Sequence, residues 1–503
     1  MVARSFAHAS RIALARRIAL ARRIALARRI ARARVWPIAF ALLLVPAAAT
    51  ADQRLPNIIL IVCDNLGYGD VEPFNPECLN RTPNLERMAA EGRRLTHFYV
   101  TSGVCTPSRS SIMTGAYPRR INMDVTDGRV LRPVSPIGLH PDELTLADVL
   151  KTAGYATAAI GKWHLGDQEP YLPTRRGFDS FFGLPYSDDM TLREGHDWPD
   201  LPLLRDEQVI EAPADRNLLT QRETEEAVRF IREHRDEPFF LYMPHNMPGS
   251  TRGSFASEAF RGRSPNGSWG DAVEELDWSA GRIMKVLQEL ELAQHTLVIW
   301  TSDNGAPPSG SNLPLGGRGY TAAEGGQRVP CIVWWPGRVP AGTTCDELAS
   351  TLDFMPTFAG LAQTRPPTDR ILDGFDVGPL LWGESSAKSP YVAFYYYDTN
   401  QLQAVRSGRW KLYLPLQQWS ARRPNPAIVP GRPLLIDVAI DPGETTDLAA
   451  QHPQVVANIQ AIADVAREDI GNGDQPGQNQ RPHGRVENPR PLLPANGSTN
   501  HSP

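Results

Sequence analysis

The sequence Asn57-Ile-Ile-Leu-Ile-Val-Cys63 carries six apolar residues in a row and runs directly into Asp64-Asn65. An apolar run without polar alternation is typical of a strand buried on both faces of a sheet. Four further runs of this kind occur, at Ala156–Ile160, Phe239–Met243, Thr296–Thr301 and Cys331–Trp335. Helical patterns lie between them, at Thr145–Ala153, Gln221–Glu233 and Asp271–Leu292. This alternation predicts an α/β fold with a large, mostly parallel sheet covered by helices on both faces.

The pattern changes after about residue 374. Aromatic residues alternate over Tyr391–Tyr397 and Val405–Leu414, and a helical pattern comes next at Val455–Glu468. These features predict a smaller C-terminal antiparallel sheet with one helix packed on it. Residues 471–503 are rich in Gly, Pro, Asn and Gln, so we expect a disordered tail. The predicted division is therefore an N-terminal segment over 1–51, an α/β domain over 52–374, a subdomain over 375–470 and a tail over 471–503.

The first 51 residues have the organisation of a secretory signal. An Arg-Ile-Ala-Leu-Ala-Arg repeat spans Arg11–Arg28, an apolar run covers Ile38–Val45, and Ala47–Ala51 offers an Ala-x-Ala end. We therefore expect cleavage after Ala51 and a periplasmic or secreted protein, with no membrane association after cleavage. The arginine repeat fits a long basic region, an amphipathic surface helix or a misassigned start.

Charge excludes one class of partner. The 503 residues carry 52 basic and 56 acidic side chains, a net charge of −4. Residues 1–51 hold ten arginines and no acid, so the remainder has 42 basic against 56 acidic side chains, or −14. An acidic body has no general electrostatic field that attracts nucleic acid, so we expect no nucleic-acid partner.

The sequence has five cysteines, so at least one must be unpaired. Cys331 with Cys345 is the pairing suggested by proximity in sequence.

Polar side chains come directly after three of the predicted strands. Asp64-Asn65 follows the first, Lys162-Trp163-His164 the second, and Asp303-Asn304 the fourth. Ligands in open parallel sheets bind beyond the carboxyl ends of the strands. Carboxylate and amide oxygens are the donors that calcium and magnesium prefer, so two such pairs favour a metal site over two unrelated turns.

The segment Gly103-Val-Cys-Thr-Pro-Ser-Arg-Ser-Ser-Ile-Met-Thr-Gly115 predicts a helix that begins near Cys105. Pro107, two residues later, is typical of a first helical turn. Free backbone N–H groups and the positive end of the helix dipole would then meet an anion beside Cys105. Arg109 would lie one turn further along, on the same side.

Cys105-Thr-Pro-Ser-Arg109, within its longer run, resembles the signature of the type I sulfatases, members of the alkaline phosphatase superfamily. Five further stretches are similar to family landmarks: Asp64–Asp70, Gly161–Gly166, Thr301–Gly305, Glu324–Pro330 and Asp441–Thr445. The resemblance therefore extends over most of the chain after the signal.

The resemblance implies hydrolysis of an aryl or carbohydrate sulfate ester to the alcohol and inorganic sulfate. A separate formylglycine-generating enzyme would convert Cys105 to formylglycine. One hydroxyl of the hydrated aldehyde would attack sulfur, and His164 would serve as the base when the hydrate collapses. Arg109 would hold the hydrate, and Lys162 would bind the sulfate. Calcium, or alternatively magnesium, would be held by the ligands Asp64, Asn65, Cys105, Asp303 and Asn304.

Three positions depart from the family pattern. Asn65 stands where many sulfatases have a second aspartate, which removes one charge but keeps an oxygen donor. His245 precedes Asn246-Met247-Pro248, one residue more than the family's Pro-His-x-Pro; we expect it to protonate the leaving group, with a structural or substrate-contact role as the alternative. Arg318 lies six residues before Glu324, where the family has a lysine five before; we expect it to bind sulfate, with a surface loop arginine as the alternative.

Two other functions fit the same residues. A phosphonate monoester or phosphodiester hydrolase of the same superfamily would use a similar metal site. A non-catalytic carbohydrate-binding relative would explain the departures at Asn65 and Arg318, but it would have no use for the Cys105 motif. The sulfatase hypothesis is therefore the leading one.

Overall fold

The computed structural model describes residues 54–125, 128–249, 253–419 and 423–494. The predicted signal over 1–51 lies outside them. The strands are β1 (Asn57–Asp64), β2 (Arg93–Leu95), β3 (Phe98–Tyr99), β4 (Ile137–Gly138), β5 (Ala156–Lys162), β6 (Ser180–Leu184), β7 (Leu203–Arg205), β8 (Gln208–Glu211), β9 (Phe239–Pro248), β10 (Thr296–Ser302), β11 (Cys331–Trp334), β12 (Thr343–Cys345), β13 (Ala349–Ser350), β14 (Phe394–Asp398), β15 (Gln401–Ser407), β16 (Trp410–Tyr413), β17 (Leu434–Asp437), β18 (Gly471–Asn472), β19 (Gln475–Pro476) and β20 (Gly484–Arg485). The helices are α1 (Pro83–Glu91), α2 (Cys105–Thr114), α3 (Leu146–Lys151), α4 (Leu219–Glu233), α5 (Gly267–Glu289), α6 (Glu324–Gln327), α7 (Phe354–Leu361), α8 (Gly378–Leu381) and α9 (Pro453–Asp469).

The main sheet has the strand order β12-β2-β11-β10-β1-β9-β5-β6-β7-β8. Its centre, from β10 to β6, is parallel throughout, and β11 and β7 join its two sides in the antiparallel sense. The large, mostly parallel sheet predicted from the apolar runs is therefore confirmed. The carboxyl ends of β10, β1 and β5 lie at one edge, together with the polar residues that come after them.

Both faces of this sheet are buried, as the apolar runs required. Along β1, Ile58, Leu60 and Val62 enter one hydrophobic cluster, while Ile59 and Ile61 enter another. The first cluster includes side chains of α2, α3 and α7, and the second includes those of α1, α4 and α5. Successive residues of a strand point to opposite faces, so a strand covered on both sides shows no polar alternation.

The C-terminal sheet is antiparallel, with the order β14-β15-β16-β17, and α9 packs against it. The smaller sheet with one helix is therefore confirmed. The hydrophobic cluster of this sheet also contains Tyr99 and Tyr117, which come from the part of the chain that forms the main sheet. Residues from Arg54 onward group as one unit, so the predicted boundary at 374 separates two sheets within that unit.

The expected disorder from residue 471 is wrong for residues 471–494, which we call the C-terminal strap. Its β20 pairs with β4, and Arg481 binds Glu143 through Nε at 2.5 Å. The backbone N–H of Arg490 donates to Gln168 Oε1 at 2.8 Å. The strap is held by backbone pairing and charge rather than by an apolar core of its own, which is why its composition suggested disorder.

The suggested Cys331–Cys345 disulfide is also wrong. Both residues lie opposite Leu95, on the two sides of β2, and all five cysteines are free. Two strand spacings amount to about 9 to 10 Å, beyond the roughly 7 Å that a disulfide can join.

None of the helices in the described residues is long and apolar enough to cross a membrane.

Candidate active site

Three strand ends bring the predicted polar residues together. β1 ends at Asp64 and β5 at Lys162, and Asp303 comes directly after the last residue of β10. The Asp303 N–H donates to Cys63 O at 3.0 Å, and the Asn65 N–H donates to Asp303 Oδ1 at 2.9 Å. The two loops after β1 and β10 are therefore fixed to each other, as the strand-end argument predicted.

Cys105 is the first residue of α2, so the prediction that it lies at a helix N-terminus is confirmed. Its Sγ lies 3.3 Å from Asp64 Oδ1 and 3.7 Å from Asn65 Oδ1. Burial, followed by the charge of Asp64, raises the pKa of the Cys105 thiol well above its usual range. The unmodified residue is therefore a protonated thiol and a poor nucleophile.

Arg109 is fully buried and cross-links the site. Its Nε donates to Asp303 Oδ2 at 2.9 Å, and its Nη2 donates to Asp64 Oδ1 at 3.0 Å. Nη1 donates to the backbone oxygen of Lys162 at 2.8 Å. One guanidinium thus reaches all three strand ends, which a lysine's single ammonium group cannot do.

Lys162 carries the second buried positive charge. Its Nζ lies 2.8 Å from Asp64 Oδ1 and 3.2 Å from Ser187 Oγ. Burial alone would raise the pKa of Asp64, but Lys162 and Arg109 outweigh it and hold that pKa at about 2. Asp64 is therefore a carboxylate, available as an oxygen ligand.

The same residues fit a divalent cation. Single ligand atoms of Asp64, Cys105 and Asp303 lie within 4.8 Å of one another, and all three residues are buried. Asn304 Oδ1 is buried, and no hydrogen-bond partner for it exists among the described residues. A buried amide oxygen without a partner is costly, and coordination to a cation would satisfy it. Asn65 has φ +61, in the left-handed region that asparagine tolerates.

His164 lies beside this cluster in a defined tautomer. Its Nε2 is 2.9 Å from the backbone oxygen of Leu131, which can only accept, so Nε2 carries the proton. Nδ1 has no partner among the described residues. Burial, followed by the charge of Lys162, lowers the pKa of His164 well below its usual range. The ring is neutral and presents a lone pair at Nδ1.

A cavity of ≈ 650 Å³ opens onto these groups. Its lining joins Asn65, Cys105, Arg129, Val130, His164, Ser187, Asp189, Met190, Pro308, Ser309, Arg318 and Tyr320. Arg318 is half-buried here, in a loop whose Gly319 backbone N–H donates to Ala306 O at 2.8 Å. A Cβ at Gly319 would lie 2.1 Å from Gly305 O, so the close approach of this loop requires glycine.

His245 is not among these lining residues, and its own contacts favour the structural alternative over the predicted protonation of the leaving group. It is 1% exposed; its Nδ1 lies 2.8 Å from Glu223 Oε2, and its Nε2 lies 3.2 Å from Ser279 Oγ. β9 continues to Pro248 instead of ending at Met243, so His245 lies within the strand and faces α4 and α5. Both ring nitrogens form hydrogen bonds there. These contacts fit the alternative that His245 has a structural role.

Residues 56–364 match the family model described as Sulfatase, and residues 389–488 match the one described as C-terminal region of aryl-sulfatase. The first match alone covers more than half of the chain. The chain belongs to the sulfatase family. It is a sulfuric ester hydrolase with the α/β architecture predicted from its strands.

Individual relatives agree with this. This sulfatase is 33% identical to N-acetylgalactosamine-6-sulfatase of Canis lupus familiaris, over 86% of this chain and 89% of the relative. It is 36% identical to arylsulfatase A of Homo sapiens, over 84% of this chain and 90% of the relative. A solved structure titled for the metabolism of multiple glycosaminoglycans by Bacteroides thetaiotaomicron has a TM-score of 0.71 and 28% identity, covering 82% of this chain and 99% of that chain.

Sequence reasoning missed five polar residues of the sulfatase cavity: Arg129, Ser187, Asp189, Ser309 and Tyr320. Ser187 had a usable signal, because it lies just after β6, whose parallel pairing with β5 places its end at the same edge. Arg129 and Tyr320 had no such sequence signal, because both lie in irregular loops. Their φ angles are +69 and +66, respectively.

Proposed function

We propose that this sulfatase cleaves aryl or carbohydrate sulfate esters through a formylglycine made from Cys105, with calcium, or alternatively magnesium, as its cation. The position of the Cys105 thiol carries the proposal: it lies at a helix N-terminus, 3.3 Å from a carboxylate oxygen of Asp64, and lines the cavity. A sulfate ester is an anion, and it would meet both the helix dipole and two buried cations there.

The donor set supports a role in metal binding for Asp64, Asn65, Asp303 and Asn304, with residue 105 as the fifth ligand. The cation and the hydrated aldehyde, when present, supply charge stabilisation at a sulfate oxygen and a hydroxyl nucleophile. The ion is hard, and the four side chains offer only hard oxygen ligands.

The remaining residues act on the substrate and on protons. Arg109 holds Asp64 and Asp303 in position, because it donates to both. Lys162 places an ammonium group beside Ser187, which lines the cavity, and would bind a sulfate oxygen. Arg318 reaches the cavity and would contribute a second cation to the anion. His164 accepts a proton at Nδ1, the nitrogen that is not bonded to Leu131.

Mass spectrometry of the Cys105 peptide from the native host tests the maturation. An aldehyde-bearing peptide supports the proposal, and an exclusively thiol form contradicts it. Cys105→Ala should abolish hydrolysis of para-nitrophenyl sulfate. The matched variant Cys78→Ala should not, since Cys78 lies in a separate loop and contacts Asn80 O at 3.2 Å. Activity on an aryl phosphonate ester above that on the sulfate would favour the phosphonate hydrolase instead.

Export to the periplasm or the medium is also part of the proposal. It rests on the signal pattern of residues 1–51. Sequencing the N-terminus of the mature protein tests it, and a mature chain that begins at Asp52 is the expected result.

A further inference from the structure

Tyr320 is held against the site by its backbone. Its N–H donates to Gly103 O at 2.8 Å, two residues before Cys105, and its own carbonyl accepts from Arg129 Nη1 at 3.1 Å. Its φ of +66 lies in the left-handed region, which is uncommon for a bulky side chain. A residue kept in this conformation inside a glycine-rich loop indicates that its side chain is needed at this place.

The Tyr320 side chain lines the same cavity as Cys105, His164 and Arg318. Its hydroxyl forms no hydrogen bond with any residue of the described ranges. Burial raises the pKa of Tyr320 well above its usual range. The phenol therefore carries its proton at neutral pH and has it free to donate.

The other groups around the site are poor proton donors. His245 is outside the cavity, with both ring nitrogens bonded. His164 uses its N–H for Leu131 O and presents a lone pair, so it is a base. Arg129 and Arg318 keep their protons at any working pH. Ser187 and Ser309 offer aliphatic hydroxyls, which are much weaker acids than a phenol.

We propose that Tyr320 is the general acid that protonates the leaving group, an inference that rests on the proposed sulfatase function. As the bond between sulfur and the bridging oxygen breaks, its electron pair stays on that oxygen. The oxygen takes the phenolic proton and leaves as a neutral alcohol, and water returns a proton to the tyrosinate.

This role also indicates a substrate class. A phenol transfers its proton usefully only to an oxygen more basic than a phenolate. The alkoxide of a sugar or other alcohol meets that condition, and the anion of a nitrophenol does not. The cavity is therefore suited to the sulfate ester of an aliphatic alcohol.

Tyr320→Phe tests the inference on two sulfates that differ in leaving group. We expect kcat for a hexose sulfate to fall by about 10² to 10⁴-fold, the usual contribution of a general acid. Activity on para-nitrophenyl sulfate should fall by less than about tenfold, so log kcat should depend more steeply on leaving-group pKa. Binding of inorganic sulfate, measured by calorimetry, and aldehyde formation at Cys105, measured by mass spectrometry, should not change.

The control is Tyr155→Phe, which removes a hydroxyl bonded to Pro56 O at 2.7 Å, near the start of β1. It should leave both activities unchanged. Equal losses on both substrates by Tyr320→Phe, weaker sulfate binding, or unchanged kinetics would overturn the acid role while the sulfatase function stands. A wild-type protein that cleaves neither ester would refute both.

Discussion

Lys411→Met should destabilise the protein by about 3 to 5 kcal/mol, because it leaves two buried carboxylates without their shared cation. Lys411 Nζ lies 3.1 Å from Glu324 Oε1 and 2.9 Å from Glu444 Oε1, and all three side chains are at most 1% exposed. At an effective dielectric constant of about 20, each pair is worth roughly 5 kcal/mol before desolvation, which consumes part of it. Burial would raise the pKa of Glu324, but Lys411 and two arginines outweigh it and bring it to about 2. Lys411→Met removes the largest of these stabilising charges and leaves Arg328 and Arg406 as the remaining cations beside Glu324.

Thermal unfolding is the assay. For ~450 residues the entropy of unfolding is roughly 1 kcal/mol per kelvin, so the midpoint should fall by about 3 to 5 °C. The matched control is Lys388→Met, which breaks an exposed pair with Glu347 at 2.8 Å. An exposed pair contributes at most about 1 kcal/mol, so its midpoint should hardly move. Lys411→Met and Glu444→Gln together should recover part of the loss. Equal midpoints for the two lysine variants would refute the reasoning.

Three further changes probe the metal ligands, the strap and the response to acid. Asp303→Asn should weaken calcium binding at least about tenfold in a calorimetric titration of the metal-stripped protein, and unchanged affinity would remove Asp303 from the ligand set. Arg481→Ala should destabilise by about 1 to 3 kcal/mol and expose the C-terminal strap to proteolysis, because Arg481 binds Glu143 through two nitrogens; the exposed Arg485→Ala should do neither. Burial, followed by two arginines, lowers the pKa of His97 to about 4. The unfolded chain thus binds a proton between about pH 6.5 and 4 that the native state does not, so stability present above that window is lost as pH falls through it. His97→Gln should flatten this fall in the unfolding midpoint, and a slope equal to that of the wild type would show that His97 is not its source.

The sheet and the strand-end cluster were predictable because each depends on a local signal. The apolar run before Asp64 indicates a buried strand, and parallel strands bring the residues beyond their carboxyl ends to one edge of the sheet. Cys105 was placed at the start of a helix by Pro107 and the apolar run beyond it, and the helix begins there.

The position of His245 was not predictable, because it depends on packing between distant segments. Pairing of β9 with β1 continues to Pro248, across an irregularity between Val62 and Asp64. Glu223 lies on α4 and Ser279 on α5, and no pattern near His245 indicates that these helices face it. Tyr320 lies in a loop without periodicity, so only the folded backbone brings it to the cavity.

The C-terminal strap has a consequence for the order of events in synthesis. Gly484 pairs with Gly138, and Arg490 closes on Gln168, four residues beyond His164. These two contacts therefore form only after residues 484–490 have been synthesised. Cys105 is 5% exposed in the folded protein, which is too little for another enzyme to bind its side chain. An enzyme that converts this side chain to formylglycine would therefore act before the chain has finished folding.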